Sequence, residues 1–278
     1  MDSFKESFAF WATILGTVVA LFGIIQSSGW LIGIAVLLIS VSIIAILYAR
    51  RQRQIVQLAT ITVEGRSIDS LNVANLRRRL NRSLVIQDAQ QFARIEGEDL
   101  GIIWEYAGYC QADRETAIEF SIDSDNNVPF DDLTCFAYDL INDPGKNHKI
   151  RPILVGPDGT SKKIEVPFLQ ELTARQPFRV LLTCELPGCM KTGLEYYSAT
   201  LSFSQKQVQH HSVRLVFAGH RPQWLRVYEC DPSGGTTLLK DLQPVREGQE
   251  VTEYLDTAEN IVAQSARIYL FRRRGITL

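Results

Sequence analysis

The sequence predicts a membrane α-helical hairpin followed by a mainly β soluble domain, an antiparallel β-sandwich or barrel with a short connecting helix. Three observations predict it. Residues 8–25 and 30–48 are apolar runs without a single charge, parted only by Gln26-Ser27-Ser28-Gly29. Residues 67–84 place Val73, Leu76, Leu80 and Leu84 at helical spacing. From residue 100 onward, short β-rich stretches alternate with Gly, Pro, Asn and Asp turn signals. These divide the chain into a two-helix hairpin (1–50), a basic connector with one helix (51–99) and a β-rich ligand- or partner-binding domain (100–278).

Each apolar run is about 18–19 residues, roughly 27–29 Å as a helix and so the thickness of a bilayer's hydrocarbon core. A signal peptide is a poorer fit, because Asp2, Lys5 and Glu6 flank the first run and a second run follows at once. Arg50, Arg51 and Arg53 follow the second run while the loop between runs has no charge, which places both termini and the β domain on the cytoplasmic side. Ala12, Gly16, Ala20 and Gly23 on the first run, with Gly29 and Gly33 opening the second, form small-residue stripes. Such stripes pack helices closely within one hairpin or between hairpins of a homo-oligomer. The runs hold no ionisable side chain, which disfavours a proton relay or a classical transporter site.

The connector reads first as a strand or a continuation of the second helix (55–63), and Gly65 ends it. The helix that follows, capped by Ser67 or Asp69, carries Arg77, Arg78, Arg79 and Arg82. That cluster is a solvated helix face, a contact for anionic lipid headgroups, or a seat for a phosphorylated ligand.

In the β domain, strands are expected over 101–110, 116–122, 133–141, 149–154, 162–166, 178–185, 196–203, 212–217 and 224–229. Residues 253–266 read as a helix before a last strand, 266–271. About nine short strands without alternating long helices describe a sandwich or barrel. Lys and Arg total 29 against 31 Asp and Glu, so the chain has no global basic character to coat nucleic acid.

Motifs for chemistry are scarce. There is no P-loop, dinucleotide fingerprint, zincin helix or nucleophile elbow, so no catalytic residue, cofactor or metal is assigned and the chain is not read as an enzyme. His210-His211 sit beside Gln205-Lys206-Gln207 and suit a hairpin loop, while Asp123, Asp125, Asp131 and Asp132 lack the ligand spacing of a calcium site. The five cysteines, odd in number and without a CxxC pair, read as buried small apolar residues in a reducing compartment rather than a disulfide framework. Residues 219–224 join two strands and bring His220, Arg221 and Trp224 together, a set able to hold phosphate and stack a base or, more plainly, a hairpin with a core tryptophan. Lys162-Lys163 and Arg272-Arg273-Arg274 are further cationic spots.

This layout of a short membrane hairpin, a basic exit at residues 50–53 and a cytoplasmic β domain resembles bacterial two-transmembrane effectors of nucleotide-signalled antiphage defence, of the cyclic-oligonucleotide or Hailong type. The resemblance implies an inner-membrane protein whose β domain senses a nucleotide second messenger or oligonucleotide made by a nucleotidyltransferase encoded nearby. It further implies that the hairpins oligomerise in the lipid bilayer into an ion-conducting pore or lesion. The alternative is a membrane-tethered immunoglobulin-like or YEATS-like module that recruits a protein partner, with the hairpin serving only as an anchor.

Overall fold

A computed structural model describes residues 58–63, 66–72, 80–124, 126–203 and 205–273. Its strands are β1 (Leu58–Val63), β2 (Arg66–Asn72), β3 (Leu84–Glu96), β4 (Asp99–Cys110), β5 (Glu115–Asp123), β6 (Thr134–Asp139), β7 (Ile153–Leu154) and β8 (Ser161–Leu172). They continue as β9 (Pro177–Leu186), β10 (Leu194–Leu201), β11 (Gln207–Ala218), β12 (Trp224–Cys230), β13 (Thr236–Asp241), β14 (Pro244–Glu247), β15 (Val251–Val262) and β16 (Ser265–Arg272).

These strands form sheets because their apolar residues recur every second position. In β4, Leu100, Ile102, Trp104, Tyr106 and Cys110 are buried while the residues between them reach the other face. A seven-stranded sheet results, ordered β14-β15-β11-β3-β4-β9-β6. Its inner face meets a three-stranded sheet, β5-β8-β7, and a four-stranded sheet, β10-β16-β12-β13, across one continuous core. Phe120 of the three-stranded sheet stacks on Tyr106 at 5.0 Å and lies 6.1 Å from Trp104, while Phe271 of the four-stranded sheet meets Phe217 edge-on at 4.9 Å. Each such aromatic contributes about 2–3 kcal/mol through burial. The central strands β12 and β16 of the four-stranded sheet are buried on both faces, since Ile61 and Val63 of the β1–β2 hairpin pack over Tyr228, Cys230, Ile268 and Leu270. A kink next to the β3–β4 ladder fixes Gly108, where a Cβ would lie 1.8 Å from the Val85 carbonyl oxygen.

The expected fold class is corrected. Every secondary-structure element among the described residues is a strand apart from one 3-10 turn, Phe130–Asp132. No helix among them is long and apolar enough to cross a membrane, so the membrane, transmembrane-helix and ion-channel reading finds no support in the structure. The hairpin itself, with Ala12, Gly16, Ala20, Gly23, Gly29 and Gly33, lies outside the described residues, as do Arg77, Arg78 and Arg79.

The connecting helix is corrected as well: Arg66–Asn72 is β2, paired with β1, and Leu84 opens β3. The C-terminal helix is likewise strand. Thr252, Tyr254 and Asp256 face the core of β15 in alternation, and cross-strand pairing with β11 overrides the four-residue spacing of Leu255, Ala258, Ile261 and Val262. Gln264, at φ 66°, then turns the chain into β16. His210 and His211 lie on β11 rather than in a loop. The sheet is also not purely antiparallel, because β11 runs parallel to β3. Finally, Cys135 of β6 and Cys184 of β9, opposite each other in the ladder, form a disulfide, against the expectation of five reduced cysteines.

Candidate functional site

The outer face of the three-stranded sheet is the floor of an open cleft of about 1050 Å³. Alternation explains the floor. On β8, Lys162, Ile164 and Val166 turn into the protein, so Ser161, Lys163 and Glu165 turn out; on β5, Ile118, Phe120 and Ile122 turn in, so Ala117 and Glu119 turn out. Residues 80–83 form one wall and residues 155–157 the other.

The first wall is fixed by Asn81, which adopts a left-handed backbone (φ 55°) that asparagine tolerates. Its side-chain amide imitates a neighbouring strand. Asn81 Nδ2 donates to the Glu119 carbonyl at 2.9 Å, and the Glu119 N–H donates to Asn81 Oδ1 at 2.7 Å. The Asn81 N–H also reaches Glu119 Oε2 at 3.3 Å, and Lys163 Nζ pairs with Glu119 Oε1. Glu119 is thereby satisfied on backbone and side chain alike.

Its cross-strand neighbour Glu165 has no such partner among the described residues, although the register sets the two carboxylates directly opposite each other. Like charges so placed repel and leave local negative potential. Among the described residues, Glu115 receives only the Thr116 N–H next to it, and Arg82 stands exposed on the wall without an ion pair. The cleft therefore holds three carboxylates and two cations, with one ion pair consumed internally. It offers a guest one guanidinium and two carboxylates.

Of the charged residues singled out by sequence, Arg82 and Lys163 line this cleft among the described residues. His220, Arg221 and Trp224 are not brought together as a phosphate-and-base site. The Arg221 guanidinium is held by Glu247, and the Trp224 ring is covered by Arg226 at 4.7 Å. His220 borders a crevice of about 20 Å³ with Pro222 and Arg273, too small for a nucleotide. The Lys162-Lys163 pair splits by strand alternation: Lys162 is buried against Asp158 Oδ1 at 2.9 Å, and Lys163 faces the cleft. Sequence reading missed Asn81, Glu119 and Glu165, whose only common signal is the outward register of β5 and β8.

No family model matches this chain, and no curated protein matches it. Among solved structures, the M1 zinc metallopeptidase from Deinococcus radiodurans is similar at 12% identity with a TM-score of 0.44, covering 69% of this chain and 43% of that one. A mutant of the same enzyme gives 13% identity and 0.44 over the same shares. A third structure, the mutant bound to a Tyr-Ser-Ala substrate, gives 12% and 0.42. The chain thus spans less than half the length of these enzymes, whose zinc and peptidase activity are properties of theirs. Among the described residues here, no cluster of His, Cys, Asp and Glu is placed to hold a metal ion.

Proposed function

We propose that this chain is a β-sandwich recognition module that takes a peptide segment of a partner protein into the cleft, with a basic side chain of the guest over Glu165 and Glu115 and an acidic one on Arg82. The observation that supports it is the charge inventory of the cleft, in which free carboxylates outnumber the free cation. A mixed-charge peptide complements that inventory, and a nucleotide polyanion is repelled by it.

The test is selection of binding peptides from a random dodecapeptide library on the immobilised full-length chain, followed by fluorescence anisotropy of a selected peptide. Charge reversals Glu165→Lys and Arg82→Glu are expected to weaken binding tenfold or more, equal to about 1.4 kcal/mol each, with unchanged melting temperature. A parallel thermal-shift panel of cyclic dinucleotides, cyclic trinucleotides and oligoadenylates is expected to leave the melting temperature unmoved. Nucleotide stabilisation that Arg82→Glu abolishes, with no peptide selected, would return the reading to a nucleotide sensor.

A further inference from the structure

Away from the cleft residues, the seam between the seven- and four-stranded sheets is closed by charges. Asp256 of β15 is fully buried. It accepts from Arg267 Nη1 at 2.5 Å and Tyr269 Oη at 2.8 Å, both on β16, and pairs with Lys240 Nζ of β13 at 2.6 Å. Burial by itself pushes the Asp256 carboxyl up. The bonds from Lys240, Arg267 and Tyr269 overcome that and hold it below the ordinary carboxylate value.

Beside it lies His211 of β11, only 2% exposed, with neither ring nitrogen hydrogen-bonded; Arg267 Nε is unpartnered too. The charges that act on His211 are those of Asp256 on β15 and Arg267 on β16; Tyr269 of β16 and Lys240 of β13 are partners of that same Asp256. Glu229 of β12 sits across the strand from Arg267, and β3 contributes the neutral Ala89. With a neutral imidazole the seam holds two cations on one carboxylate. A proton on His211 adds a third positive charge beside Arg267, where water cannot screen it.

The cation best able to leave is Lys240. Its side chain is 44% exposed against 12% for Arg267, and its strand is the edge of the four-stranded sheet. β13 is exposed at nearly every residue; its one ladder among the described residues is the bulged pairing with β12, and a single Thr236 Oγ1 bond to the Thr60 carbonyl ties it to β1.

We propose that this seam is an acid-operated latch: protonation of His211 displaces Lys240 from Asp256 and releases β13 from the edge of the sandwich. Burial first, then the Arg267 charge, push His211 from 6.5 down to about 4 against the pull of Asp256. Above pH 6.5 the imidazole is neutral whether the seam is closed or open. As pH falls from 6.5 towards 4 only the open seam takes the proton, so opening rises up to tenfold per pH unit and levels off below about 4. Asp256, held below its ordinary value of 3.8, loses its own contribution only beneath that window.

The test is hydrogen exchange by mass spectrometry on the full-length chain from pH 7 to 4.5, corrected for intrinsic rates. Amides of Thr236–Asp241 are expected to lose protection by up to tenfold per unit below pH 6.5, while β4 and β9 hold theirs. His211→Phe and His211→Gln should flatten that response, and Lys240→Met should leave β13 open already at pH 7. A response that persists in both His211 variants, or loss of protection in β4 and β9 in step with β13, would overturn the latch.

Discussion

Gln91, Trp104, Tyr106 and Tyr197 make one buried polar network between the seven- and four-stranded sheets, and His211, Asp256, Arg267 and Tyr269 make another. The two touch where the Tyr197 and Tyr269 rings approach to 6.2 Å. In the first, the Trp104 indole N–H donates to Tyr197 Oη at 2.9 Å, Tyr197 Oη donates to Gln91 Oε1 at 2.7 Å, and Gln91 also bonds Tyr106. Every member is neutral and satisfied, and burial pushes both tyrosine hydroxyls far above their ordinary range. The second network uses charges and leaves the imidazole and one guanidinium N–H unmatched. Neutral, saturated bonding fixes how the sheets sit and ignores pH, whereas charged, unsaturated bonding closes a seam and responds to it.

Three substitutions test that contrast. The largest effect is expected from Asp256→Ala, which strands Arg267 and Lys240 at the seam; a loss of about 3–5 kcal/mol in denaturant unfolding is expected. A loss under 1 kcal/mol would mean the charges rehydrate without opening the sheets. Tyr197→Phe comes next. It leaves the Trp104 N–H and Gln91 Oε1 without their shared partner, at about 1–3 kcal/mol, and that cost should be the same at pH 5 and pH 7. His211→Phe is the smallest at neutral pH, within about 1 kcal/mol, because it removes a polar group that bonds to nothing. At pH 5 the same variant should be more stable than the parent, and a deficit there would end the contrast between the two networks.

How much of this was legible in the sequence follows from the range of the interactions. Stretches with strict alternation announced themselves: 101–110 falls within β4, 116–122 within β5 and 224–229 within β12. Residues 67–72 and 253–262 did not, because apolar spacing compatible with a helix was overridden by pairing with β1 and β11. The disulfide was hidden, since Cys135 and Cys184 are 49 residues apart and meet only through ladder register. The cleft was hidden for a similar reason. Arg82 stood out as part of a charge cluster, but Asn81, Glu119 and Glu165 gain meaning only once β5 lies against β8 and residues 80–83 close its edge. His211 was visible as a histidine, while its burial depends on three strands brought from distant parts of the chain.

The parallel pairing of β3 with β11 also governs when this protein can fold. The Gln87 and Gln209 side chains that meet across it are 122 residues apart, so the centre of the large sheet stays unpaired until most of the chain has left the ribosome. Until then β3 and β4 form a hairpin with one long open edge and a bare apolar face carrying Ile86, Ile102 and Trp104. Newly made chains should accordingly fold slowly and depend on chaperones, with aggregation seeded at that edge.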